Sequence, residues 1–274
     1  MTAMELLAAV LPLFLPFQDV KPEDPAKAAL TALKEAARAK DTLVLQNALF
    51  KAGQVSDKKV VSAIGKHMTH KDRNVRLAAA EALRWMEHGD AWKALEGGLR
   101  KNKKDEDLVL AIYRGIGQHA DPKAVKALSS NMWTSPNRKV VEIRIHALGR
   151  VRDKSSVEAL VKMMLSGKPK GLGHHWQALR SSLELLTGED HGNDAVEWNS
   201  WWSKVRSKFE VPPQPFTLSR KAQAKVDKLW QSPAEAEAER KKGRGKDGAR
   251  GGEDQKGDGK DKKKGDGKDP EPPF

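Results

Sequence analysis

The chain has 274 residues, of which 38 % are hydrophobic and 32 % charged, with no cysteine and a formal net charge of +13. It is long enough to bury a sizeable core, but it excludes disulfides, thiol nucleophiles and Cys-ligated zinc. A single tyrosine, few β-branched runs and abundant Ala, Leu, Lys and Arg favour an all-α fold.

The first element is the apolar run Leu6–Phe17, too short to span a bilayer and suited to the core of a signal peptide over residues 1–18. That reading implies export to the periplasm or cell envelope, with no stable transmembrane span after cleavage. A hydrophobic N-terminal helix, or an uncleaved anchor, is the competing reading, with a cytoplasmic location as its alternative.

From residue 24 to 210 the sequence repeats. Leu49, Leu83, Ile116, Leu148 and Leu186 are successive anchors 34, 33, 32 and 38 residues apart, and a Gly-rich insertion at 166–174 lengthens the last interval. Each anchor closes a helical stripe such as Val109, Tyr113 and Ile116, or Val141, Ile145 and Leu148, or Leu179, Leu183 and Leu186. Preceding helices carry stripes of their own: Val60, Val61 and Ile64; Trp92, Leu95 and Leu99; Val125 and Leu128; Leu160, Val161 and Met164. Asp57, Asp90, Asp121 and Ser156 are expected to cap these first helices. About five helix pairs follow, none able to bury its apolar face without a neighbour.

Gly188 is placed to end one helix and Asp194 to cap the next, on which Trp198, Trp201 and Trp202 share a side. This helix should close the array. Residues 211–232 hold a stiff Pro-rich linker, Val211–Phe216, and a short amphipathic helix carrying Ala222, Val226 and Leu229. That helix could dock on the array or be offered to a partner. The Gly/Lys/Asp-rich tail, 233–274, is expected to be disordered.

The stretch Asp72-x-x-Val75-Arg76-x-x-Ala79-x-x-Ala82-Leu83 resembles the second-helix pattern of HEAT repeats. Leu186–Trp202 is similar to the closing segment of HEAT-type proteins of planctomycetes and other environmental bacteria. The resemblance implies a right-handed α-solenoid that binds protein partners and needs no cofactor. It also implies a ladder of Asp–Arg contacts between units, for which Asp72 and Arg76 match but Val109 and Val141 occupy later Arg positions.

Charge locates the expected contact surface. The tail holds 12 Lys/Arg against 11 Asp/Glu, whereas Trp92–Lys170 holds 17 against 8. Arg100, Lys101, Lys103, Lys104, Trp133, Arg138, Lys139, Arg144, Arg150 and Arg152 are therefore the candidate partner-binding residues, facing a protein that could be acidic. The same surface would suit nucleic acid or another polyanion, the alternative reading. Glu189, Asp190, His191 and Asp194 do not follow a calcium-loop pattern, and His67/His70 and His174/His175 lack a third ligand. No catalytic constellation can be assembled, so an enzyme such as a HEAT-like lyase or glycosylase is the remote third reading.

Overall fold

The computed structural model describes residues 24–168, 172–232 and 234–241, which contain helices and no strand. The segments read as a signal peptide (1–18) and most of the tail (242–274) lie outside the described residues. No described helix is long and apolar enough to cross a membrane.

The described residues up to Val226 form one unit. Its helices are α1 Pro25–Arg38, α2 Thr42–Ala52, α3 Lys58–His67, α4 Arg73–Trp85, α5 Ala91–Leu99, α6 Glu106–His119, α7 Val125–Ser129, α8 Arg138–Arg150, α9 Lys154–Ser166, α10 Trp176–Thr187 and α11 Ala195–Val205. They pack as consecutive pairs, α1 with α2, α3 with α4, α5 with α6, α7 with α8 and α9 with α10. The second helices α2, α4, α6, α8 and α10 stack on one another in order, as an α-solenoid requires. All five anchors, Leu49, Leu83, Ile116, Leu148 and Leu186, are 0 % exposed. The α6 stripe is offset by one residue from its expected position. Leu108, Ile112 and Ile116 are buried, while Val109 and Tyr113 are only half-buried.

Capping sets the helix starts. Asp57, Asp72, Asp153 and Asp194 each accept first-turn N–H groups through a side-chain oxygen. Two expected caps differ. Asp90 makes no cap bond and pairs instead with Lys93 at 2.8 Å. Ser156 lies fully buried inside α9, one turn beyond the true cap Asp153.

Contacts between units follow two patterns. Arg76 reaches Asp105 of the next unit at 3.3 Å, and Arg73 joins Asp105 and Asp107 at 2.9 and 2.7 Å. Where Val109 removes the next Arg, Asn137 Nδ2 donates to Glu106 at 2.7 Å. A second ladder runs along the C-terminal ends of the second helices. His119 Nε2 donates to Leu83 O at 2.8 Å, Arg150 Nε to Gly117 O at 3.2 Å, and Arg152 Nη1 to Leu185 O at 2.6 Å. Each donor meets a last-turn carbonyl that its own helix leaves unpaired, where the helix dipole also favours positive charge.

Close approach of α8 and α10 depends on Gly149. A Cβ there would stand 2.7 Å from Ser182 Cβ and 2.9 Å from its Cα. Gly149→Ala should therefore destabilise, because overpacking costs roughly 1–3 kcal/mol, more than the roughly 0.5–1 kcal/mol that Ala gains in a helix. Gly65→Ala, which meets only Ala94 Cβ at 3.4 Å, should be neutral or stabilising. Urea unfolding midpoints of the two variants check the contrast.

α11 packs on α9 and buries Trp198 and Trp202, closing the row of first helices. The linker then crosses the end of α10. Phe216 N–H donates to Leu185 O at 3.1 Å, and Arg152 donates to Pro212 O and to Gln214 O. α12, Arg220–Trp230, follows and lies against α8, where Lys225 meets Glu142 at 3.3 Å and Val226 is buried. The second unit begins at Asp227, within this helix. In it residues 234–241 are helical. Ser232 and Glu235 form a reciprocal capping box, and Glu237 pairs with Lys241 at 2.8 Å.

Candidate functional site

The candidate partner-binding residues separate into three groups. Arg144 is turned inward, and the half-buried Arg150 and Arg152 donate to backbone carbonyls, so their assignment to a partner surface needs correction. Arg144 is 3 % exposed, donates through Nε to Leu128 O at 2.8 Å and also to Ser130 O, and stacks over Tyr113 at 4.7 Å. Burial pulls its pKa down and Tyr113 offsets this in part. Arg150 and Arg152 are committed to the carbonyls already named. A helix C-terminus needs donors for its last carbonyls, and a positive residue near the end of a neighbouring helix supplies them. In sequence, such an arginine has the same appearance as a surface one.

Arg100, Lys101, Lys103 and Lys104 form the second group, all exposed in the loop between α5 and α6. Arg100 and Lys103 line a groove of about 810 Å³ between the third and fourth helix pairs. The opposite side brings Lys123 and Lys126, which the sequence reading missed. Glu96 is the acidic residue in the groove, and Tyr113 and Val140 lie on its walls. Among the described residues, none of Arg100, Lys103, Lys123 and Lys126 makes an ion pair. No signal in the sequence singles out these lysines: the groove forms because the α6 stripe is offset, which leaves Tyr113 half-buried, and only packing shows that offset. Asn102, in the same loop, is 6 % exposed and donates to Met68 O and Gly98 O at 2.9 and 2.8 Å. It anchors the loop, so the basic side chains project from a fixed backbone.

Trp133 and Arg138 form the third group, with Lys139 exposed next to Arg138. They line a separate concavity with Lys168, His174 and His175.

Two of the acidic and histidine candidates, Asp190 and His191, are engaged elsewhere. Asp190 takes a bidentate pair from Arg180 at 2.9 and 2.6 Å, and His191 packs edge-on against Trp198 at 4.8 Å. Among the described residues no group of three or more His, Cys, Asp or Glu side chains could hold a metal.

Titration of the buried groups predicts acid sensitivity. Burial is the main cause that holds His67, His119 and His175 below the ordinary imidazole value. The unfolded chain therefore takes up their protons at higher pH than the folded one. Stability is full above roughly pH 6.5 and falls as the pH drops through the lower folded values. Glu142 adds a second window. His146 is the main cause, with Lys225, that holds it at about 2 against the opposing effect of burial. Its contribution is present above roughly pH 4.5 and is lost below that. The thermal midpoint should fall in two stages on acidification, and a midpoint flat from neutral to pH 5, roughly, would contradict the first.

Residues 30–109, from within α1 to the first turn of α6, match the family model for HEAT repeats. No curated protein matches the chain.

Proposed function

We propose, on the premise that this chain is a HEAT-repeat protein, that it is a non-catalytic scaffold whose third and fourth helix pairs bind an acidic protein segment. HEAT repeats generally mediate protein–protein interaction. The observation that carries the reading is the groove that sets Arg100 and Lys103 opposite Lys123 and Lys126, with Glu96 as its acid. Unpaired cations on a fixed wall raise the local concentration of an anionic partner and orient it. Tyr113 has one ring face covered by Arg144, which leaves less surface for stacking a nucleobase. This favours a carboxylate-bearing protein over single-stranded nucleic acid.

Fluorescence anisotropy of a labelled poly-glutamate peptide and of an equally charged oligonucleotide, at matched salt, tests the reading. The peptide should bind. A variant combining Arg100→Gln, Lys103→Gln, Lys123→Gln and Lys126→Gln should lose about tenfold or more in affinity, with unchanged circular dichroism. Absence of peptide binding, or unchanged affinity in the variant, would overturn it. Tighter binding of the oligonucleotide would transfer the groove to polyanion recognition. We also propose export to the cell envelope, on the apolar segment Leu6–Phe17. Sequencing the N-terminus of protein recovered from fractionated cells tests this: an intact Met1 in the cytosolic fraction would overturn it.

A further inference from the structure

The second concavity has its own cations, although Ser135 lines both it and the basic groove. It encloses about 500 Å³ between the 3-10 turn Met132–Thr134, the start of α8, the end of α9 and the start of α10. Arg138, Lys168 and His174 supply cationic or protonatable groups, and no acidic residue lines it. Arg138 and Lys168 make no ion pair among the described residues. Trp133 forms an aromatic wall, held by Nε1 donating to Ser166 Oγ at 3.3 Å. Its ring lies 5.9 Å from that of His175, tilted by 47°.

His175 is the unusual residue. It is 5 % exposed and lines the cavity, yet its buried Nδ1 has no hydrogen-bond partner. A buried imidazole nitrogen without a partner is costly unless something fills the place. His175 is also the N-cap of α10 and makes no side-chain cap bond. Glu142, the carboxylate whose charge acts on His175, pairs with Lys225 at 3.3 Å.

We infer that this cavity is a binding site for a single oxyanion, phosphate or carboxylate, carried on an apolar or aromatic stem. Arg138 and Lys168 neutralise the anion, His175 Nδ1 donates to it, and Trp133 covers the stem. The site needs no macromolecule, so it can hold or fail independently of the basic groove.

Calorimetric titration of the full chain with phenyl phosphate and with inorganic phosphate, at low ionic strength, tests it. Phenyl phosphate should bind saturably and more tightly than inorganic phosphate. The double variant Arg138→Gln/Lys168→Gln should weaken it by about tenfold or more, while Lys101→Gln/Lys104→Gln, with the same loss of charge elsewhere, should change it by less than about twofold. Trp133→Leu should abolish the advantage of phenyl phosphate over phosphate. In nitrogen-detected NMR of the histidine rings, the His175 Nδ1 resonance should move on titration. A phosphotyrosine hexapeptide separates the sources. Equal affinity to phenyl phosphate identifies a free ligand, and tighter binding identifies a group presented by a partner chain. No saturable binding, or equal weakening in both double variants, would overturn the site.

Discussion

Trp198→Ala should remove roughly 3–5 kcal/mol of stability, the range for truncating a fully buried tryptophan. Trp198 is 0 % exposed, and its Nε1 donates to Gly192 O at 3.1 Å. The ring meets His191 edge-on at 4.8 Å and Trp201 at right angles at 5.9 Å. Phe209 then closes on Trp201 and Trp202 at 5.7 Å to each. Trp198 is the fully buried ring of this aromatic cluster. α11 carries it against α9, and a stacked array needs such a closing element to keep its terminal core from water. Trp198→Ala should lower the urea midpoint strongly, and Trp198→Phe should recover part of the loss. Trp201→Ala, at a half-buried position, should cost less than Trp198→Ala. Equal effects at 198 and 201 would mean that α11 does not close the array.

The sequence made the repeat legible because a helix pair imposes both a 3.6-residue stripe and a period near 33. Every anchor named from spacing alone is fully buried. Gly188 was legible for a different reason. It adopts φ +76°, and glycine is the residue that enters the left-handed region without strain. The offset on α6 was not legible: Leu108 and Val109 are both apolar, and only packing against neighbouring helices decides which of them is buried. Ser232-x-x-Glu235 is a local start signal for the helical segment 234–241, within a composition that otherwise carries no helical stripe. The basic site was partly legible. A charge surplus locates a region of chain, but it does not show which cations face water and which serve backbone carbonyls. Arg100 and Lys103 do the first, Arg150 and Arg152 the second, and all four look alike as letters.

Arg144 is the residue at which those two roles can be told apart by experiment. Arg144→Ala should cost roughly 3 kcal/mol or more, because it removes two charge-assisted hydrogen bonds, each worth roughly 1.5–3 kcal/mol, and leaves the buried Leu128 carbonyl without that donor. The two accepting carbonyls belong to Leu128 and Ser130, at the end of the five-residue helix α7, which is too short to hold itself. Arg144 also stacks on Tyr113 at 4.7 Å, so it joins α6, α7 and α8 at one point. Arg144→Lys keeps the charge but presents a point donor instead of a planar fork, and it should recover only part of the loss. A residue that served a partner would behave in the opposite way: Arg144→Ala would keep the wild-type urea midpoint and lose acidic-peptide binding. The internal role requires a lower midpoint for Arg144→Ala, whereas the Gln substitutions at Arg100, Lys103, Lys123 and Lys126 leave the midpoint in place and weaken the peptide. Measuring midpoint and affinity on both variants separates the side chains that build the groove from those that face its ligand.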